Sequence, residues 1–155
     1  MKCNQRGRFA GMAAFGLWLA VLTVLTVQAG EPGAEAWYRD SYAPLWQENP
    51  HEKVAAMLSH YAPEVLTHMA EGGFRRDLRE PWLQAPMAAW QAEGWVGSEL
   101  IALQTTLINP NTATFLATWR DNYSSGLEEV TCGWYVAGRD IGVWRFTVYA
   151  DTPCP

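Results

Sequence analysis

The chain has 155 residues, a net charge of -5 and nine tryptophans. With 49% apolar and 17% charged residues, it carries enough apolar side chain to offset the entropy of ordering, which excludes intrinsic disorder. The length implies one domain with at most a short appendage, and the acidic balance excludes the clustered Lys and Arg that nucleic-acid binding needs.

The chain opens with Lys2, Arg6 and Arg8, followed by an uncharged, mostly apolar run from Phe9 to Val27. The run ends in Val27-Gln28-Ala29, with small residues at the -3 and -1 positions that a signal peptidase reads. Residues 1–29 are therefore expected to be a signal peptide cleaved after Ala29, with the domain over 30–155 secreted or periplasmic. The alternative is an uncleaved N-terminal membrane anchor, because nineteen residues approach a bilayer-spanning length of about 20. Cys3 lies upstream of the apolar run, where no lipoprotein cysteine would sit. Cleavage would leave 126 residues, removing three bases and no acid, so the charge deepens from -5 to -8. It would also leave two cysteines, Cys132 and Cys154, an even number in an oxidising compartment, which are expected to form a disulfide.

From Ala34 to Trp46 the apolar positions Ala34, Trp37, Tyr38, Tyr42, Leu45 and Trp46 recur at three and four, which predicts a helix that Pro44 kinks or ends. Asn49-Pro50-His51-Glu52 reads as the start of a second helix, with Asn49 as N-cap and a buried stripe of Val54, Ala55, Met57, Leu58 and Tyr61. Ala62-Pro63 should stop it, leaving Glu64 to Met69 as a short extended segment. Gly72-Gly73 is expected to open a loop in which Arg75, Arg76 and Arg79 pair with Asp77 and Glu80 at the surface. A third helix should run from about Pro81 to Glu93, burying Trp82, Leu83, Met87 and Trp90.

Beyond Gly97 the pattern turns to strands: Ser98 to Ile108, Thr112 to Asn122, Glu128 to Ala137 and Val143 to Ala150, rich in Thr, Val, Leu and aromatics. The turns between them are short enough to require antiparallel neighbours. Period-2 parity puts Phe115, Ala117 and Trp119 on one face with Trp144, Phe146 and Val148. Val130, Cys132, Trp134 and Val136 join that inner face, as do Ile101, Leu103 and Thr105. The outer face then carries Arg120, Thr131, Tyr135, Arg145, Thr147 and Tyr149. The fold class is α+β, with N-terminal helices packed into a curved, mostly antiparallel sheet.

That order of elements resembles the nuclear transport factor 2-like fold, in which a curved sheet wraps helices into a cone. His60-Tyr61-Ala62-Pro63-Glu64-Val65 resembles the family's Y-A-x-D-V at the end of the second helix. Gly133-Trp134-Tyr135-Val136 with Gly142-Val143-Trp144-Arg145-Phe146 resembles its closing hairpin, where a G-x-W-x-I strand is typical. Within the superfamily the chain looks SnoaL-like, similar to a group that holds polyketide cyclases, isomerases, hydrolases and non-catalytic members. In the ketosteroid isomerase branch, the resemblance places the general base at Met69, beside His68, and the oxyanion-donating acid at Trp134. Neither acid is kept, and only the tyrosine of the first helix has a counterpart, Tyr42 or Tyr38. The Arg-x-Asp pattern of epoxide hydrolysis is absent too, because Arg120 and Asp121 are adjacent.

The residues themselves offer a different constellation. Asp121 continues the inward parity of Phe115, Ala117 and Trp119, and register arithmetic sets Glu99 beside it, so the two are candidates for an acid–base pair. His68, paired with Tyr42, is a second candidate base near neutral pH; His51 and His60 are expected at the surface. No H-E-x-x-H spacing, G-x-S-x-G elbow, phosphate loop or dinucleotide fingerprint occurs, so no metal and no cofactor is expected. Tyr38, Trp90, Phe115, Trp119, Trp134, Trp144 and Phe146, with Tyr42, are candidates to line a cavity for a small apolar or aromatic molecule. The competing readings are a cofactor-free isomerase, cyclase or hydrolase, and a non-catalytic module that dimerises through the outer sheet face. No nucleic-acid partner is expected, and no stable membrane partner once the signal is cleaved.

Overall fold

The computed structural model describes residues 33–69 and 72–155. The leader, its apolar run and the cleavage position after Ala29 lie outside the described residues. Among the described residues no helix is long and apolar enough to cross a membrane.

The first helical segment begins as α1 (Ala34–Ala36), widens to π geometry over Trp37–Tyr42 and tightens to a 3₁₀ turn over Ala43–Trp46. The interruption expected at Pro44 takes the form of that tightened turn. Trp37, Tyr38, Tyr42 and Ala43 are buried along it. A second 3₁₀ turn, Pro50–Lys53, leads into α2 (Val54–Ser59). Asn49 lies in the left-handed region at φ 53° and makes no side-chain hydrogen bond, so the expected N-cap does not form. The Glu52 N–H instead donates to the Asn49 carbonyl at 3.0 Å.

β1 (Tyr61–Met69) starts three residues earlier than expected and runs through Pro63. β2 (Gly73–Leu78) occupies the segment expected to be a loop. The reason is its position: it is the sheet's last strand, paired only with β1, with Arg75 and Arg76 facing water and Asp77 accepting from the buried Thr67 hydroxyl, and charged residues suit such an edge. The expected surface pairing forms for Arg75 with Asp77 at 3.6 Å and Arg79 with Glu80 at 2.9 Å, while Arg76 pairs outside the segment, with Glu64 at 3.4 Å. Next come α3 (Arg79–Ala92), β3 (Trp95–Asn109), β4 (Thr112–Tyr123), β5 (Glu128–Asp140) and β6 (Val143–Asp151). The six strands lie in the order β2-β1-β6-β5-β4-β3, antiparallel throughout except for the parallel contact of β1 with β6.

The inner face of β4 is as expected: Ala113, Phe115, Ala117 and Trp119 are buried. Its pairing with β5 reverses the assignment of that strand. Phe115 lies opposite Tyr135, Ala117 opposite Gly133 and Trp119 opposite Thr131, so Thr131, Gly133, Tyr135 and Ala137 face inward. Val130, Cys132, Trp134 and Val136 therefore face outward. The tight turn at Ile141-Gly142 agrees, pairing Arg139 with Trp144 and Ala137 with Phe146, so the odd positions of β5 share the inner face. A bulge follows, where Val136 pairs with Val148 and Thr147 is left as an extra residue. Trp144 and Phe146 are inward before the bulge; after it Tyr149 turns inward and Val148 outward. A second bulge in β3, between Leu100 and Ala102, turns Leu100 inward and leaves Ile101 41% exposed. Leu103 and Thr105 face inward as expected.

Candidate ligand cavity

The helices fill only part of the sheet's concave face. Over one end, Trp37 and Tyr38 pack on Phe115, Trp144 and Phe146, with the Trp37 and Phe146 ring centroids 4.8 Å apart and those of Tyr38 and Phe115 4.9 Å apart. Over the other end lies α3, which buries only Leu83 and Met87. Pro86 in mid-helix removes a backbone donor and denies the Trp82 carbonyl its helical partner. The inner face beneath offers small side chains, Ser98, Thr131 and Gly133, where the packed end has Phe115 and Trp144. A cavity of about 360 Å³ remains between α3 and the sheet.

Its walls are aromatic. On one side Trp90 meets Trp95 at 5.6 Å between ring centroids, Trp95 meets Trp46 at 6.2 Å, and Trp46 meets Trp119 at 6.1 Å. On the other, Tyr61 meets Trp82 at 5.1 Å, Trp82 meets Tyr149 at 5.4 Å, and Tyr149 meets Tyr135 at 5.1 Å. Trp46 reaches its place because the start of β3 runs against its turn. A Cβ on Gly97, at φ 149°, would stand 3.0 Å from the Trp46 carbonyl oxygen, so a side chain there would push the turn away. At the opposite corner Arg79 fixes the start of α3, donating to the carbonyls of Leu58 at 3.2 Å and Tyr61 at 3.1 Å.

The polar groups of the cavity gather at the ends of β4 and β6 and the starts of β3 and β5. Trp95 Nε1 donates to Ser98 Oγ at 3.2 Å, and Ser98 Oγ donates to the Asp121 carboxylate, which also accepts from Thr131 Oγ1 at 2.8 Å. Tyr149 donates to Asp151 at 2.6 Å and Tyr123 to Glu129 at 3.2 Å. All three carboxylates line the cavity. Burial pushes the phenols of Tyr61 and Tyr149 well up and that of Tyr135 up to about 12, so all three are neutral at physiological pH. Among the described residues no group of His, Cys, Asp and Glu side chains is arranged to hold a metal ion.

The candidate residues read from the sequence are divided by this geometry. Trp90, Trp119 and Asp121 line the cavity. Tyr38, Phe115, Trp144 and Phe146 belong to the packed core, as does Tyr42, whose hydroxyl is hydrogen-bonded to that of Tyr61. Trp134 is on the outer face, 37% exposed. Glu99 is not beside Asp121: it lies opposite Arg120, which it pairs with at 3.3 Å, while Ser98 takes the place across from Asp121. His68 is also on the outer face, in a row that runs across the strands through Leu116, Trp134, Ala150, His68 and Phe74. Its ring packs at a tilt against that of Phe74, the centroids 4.6 Å apart. His68 and Tyr42 are thus not brought together, and neither are Asp121 and Glu99. His60, expected at the surface, packs between Trp37 and Tyr42, and burial lowers its pKa.

Cys132 and Cys154 are bonded, tying the C-terminal tail to β5. The cavity residues that sequence parity missed include the aromatics Trp46, Trp82, Trp95, Tyr61, Tyr135 and Tyr149 and the carboxylates Glu129 and Asp151. Of these, Tyr149 is turned inward by the extra residue in the closing hairpin, and Tyr135 by its place opposite Phe115.

No protein-family model matches the sequence, and no curated protein matches it either. Solved structures do match in fold. An NTF2-like protein of unknown function from Shewanella oneidensis superposes with a TM-score of 0.61 at 10% identity, over 77% of this chain and 96% of that one. An uncharacterised protein with a cystatin-like fold from Caulobacter vibrioides gives 0.54 at 18% identity, over 78% of this chain and 87% of that one. An NTF2-like protein from Novosphingobium aromaticivorans gives 0.55 at 18% identity, over 76% of each chain. The chain has the NTF2-like, or cystatin-like, cone fold.

Proposed function

We propose that the protein is an exported, non-catalytic binding domain that takes a small molecule with apolar or aromatic surface into the cavity beneath α3. The observation that carries this reading is the cavity itself, about 360 Å³ of space with two aromatic walls, within the usual range of ligand sites. Export rests on the basic and apolar leader with its Val27-Gln28-Ala29 end and on the Cys132–Cys154 bond, which suits an oxidising compartment. Binding is favoured over isomerase, cyclase or hydrolase chemistry because both candidate acid–base pairs are separated: Glu99 lies outside the cavity that Asp121 lines, and His68 and Tyr42 both lie outside it.

The test is native mass spectrometry of the purified protein, together with tryptophan fluorescence titrated with indole. A retained small-molecule mass, or saturable one-to-one quenching that Thr131→Trp abolishes by filling the space, is the expected outcome. Linear, unsaturable quenching identical in wild type and Thr131→Trp, with no retained mass, would sink the reading. A second copy of the chain on the outer sheet face is a further reading, favoured by the exposed Trp134 ring in its row with Leu116 and Phe74. The same spectrum counts subunits, and Trp134→Lys should convert any dimer to monomer.

A further inference from the structure

We propose that the ligand of this cavity is a small organic cation, an amine or quaternary ammonium group carried on an apolar or aromatic body. The inference rests on the binding reading above and names the class of molecule. Three carboxylates, Asp121, Glu129 and Asp151, line the space, and no Lys, Arg or His lines it with them. None of the three forms an ion pair among the described residues; their partners are the neutral hydroxyls of Ser98, Thr131, Tyr123 and Tyr149. Asp121 and Glu129 stand directly opposite in the β4–β5 ladder, a like-charge placement that works against the sheet. Elsewhere on the same two strands the arrangement differs, since Arg120 pairs with both Glu99 and Glu128. At this end of the sheet the outward acids Glu99 and Glu128 are thus paired and the cavity's acids are not.

Aromatic rings attract the same kind of ligand. Five tryptophans line the walls, and the negative face of an indole is the strongest aromatic partner for a cation. The tyrosines among them are neutral phenols, so they add ring faces and hydroxyl acceptors without positive charge. A bare metal ion is disfavoured because the carboxylates do not converge on one point. A diffuse cation needs no such convergence: its charge spreads over methyl or methylene groups, which rings and distant carboxylates satisfy together. An anionic ligand would meet repulsion from the acids.

The experiment compares phenyltrimethylammonium with tert-butylbenzene, its uncharged counterpart of the same shape, by tryptophan fluorescence and calorimetry on the purified protein. The cation should bind at least tenfold more tightly than the neutral probe. Asp151→Asn keeps an oxygen for Tyr149, and Asp121→Asn keeps one for either Ser98 or Thr131 while the other hydroxyl can accept from the new amide; each should weaken the cation severalfold and leave tert-butylbenzene unchanged. Equal affinities, or tighter binding of tert-butylbenzene, would overturn the cation inference while upholding the binding reading. Cation binding indifferent to both substitutions would overturn it as well. If neither probe binds, both readings fall together.

Discussion

Tyr42 and Tyr61 are fully buried and bonded hydroxyl to hydroxyl, so each offsets the desolvation of the other. Removing one oxygen leaves its partner stranded in an apolar setting. Tyr42→Phe and Tyr61→Phe should each lower stability by about 1–3 kcal/mol. The double variant should lose clearly less than the sum, because it leaves no orphan. Tyr38, one helical turn earlier, supplies the contrast. Its hydroxyl is buried beside Tyr135 without a well-formed hydrogen bond, so Tyr38→Phe should be neutral or stabilising. Urea denaturation of the four variants measures all of this; strict additivity of the Tyr42 and Tyr61 effects would mean that the two hydroxyls do not depend on each other. Tyrosines at 38 and 42 look alike in the sequence, since both continue the same helical stripe. What separates them is the residue across the core, which local spacing does not reveal.

At the level of elements, β4 was readable because every second residue is apolar or small and nothing breaks its alternation. β5 and β6 were not, because both of their faces carry large apolar or aromatic residues. Trp134 and Tyr135 are equally plausible on the inside, and only the register against β4, which sets Tyr135 opposite Phe115, decides between them. The extra residue at Thr147 then shapes the site, by turning Tyr149 and Asp151 into the cavity and leaving Cys132 near the tail. β2 was illegible for a different reason: an edge strand with charged side chains carries a loop's composition, and its order comes from the ladder it makes with β1. The cysteine pairing, by contrast, followed from simple parity of number. The bond joins residues 22 apart in sequence and holds the tail beyond β6, whose Thr152 N–H donates to the Cys132 carbonyl at 3.2 Å. Closing a loop of that length restricts the unfolded chain, so Cys154→Ser should lower stability by about 3 kcal/mol. Guanidinium denaturation with and without reductant checks it: the reduced wild type should fall to the variant's midpoint, and the variant should not respond. An unchanged midpoint in both would mean that the tail contributes nothing to the cooperative unit.

For the molecule as a whole, the aromatic residues divide between a packed end and an open end of one sheet, and the tyrosines tie the two together. Five of the six, Tyr38, Tyr42, Tyr61, Tyr135 and Tyr149, have phenols whose pKa burial raises above the ordinary value near 10, that of Tyr135 to about 12. A group with a raised folded pKa binds more protons in the native than in the unfolded chain at any pH between the two values. Its contribution is therefore complete below about pH 10 and is lost as pH rises through the folded value, at up to about 1.4 kcal/mol per pH unit for each phenol. Because the five phenols share one core, their losses coincide, and the fold should collapse in a single steep alkaline transition. Tyrosinate absorbance near 295 nm, followed beside near-ultraviolet circular dichroism, distinguishes the possibilities. The half-exposed Tyr123 should ionise alone, ahead of the transition, although desolvation and Glu129 raise its pKa too. The remaining absorbance should then appear together with the loss of tertiary signal. Smooth ionisation of all six phenols with the tertiary signal intact would mean that the tyrosine cluster is open to water and that the packed end does not seal the cavity's floor.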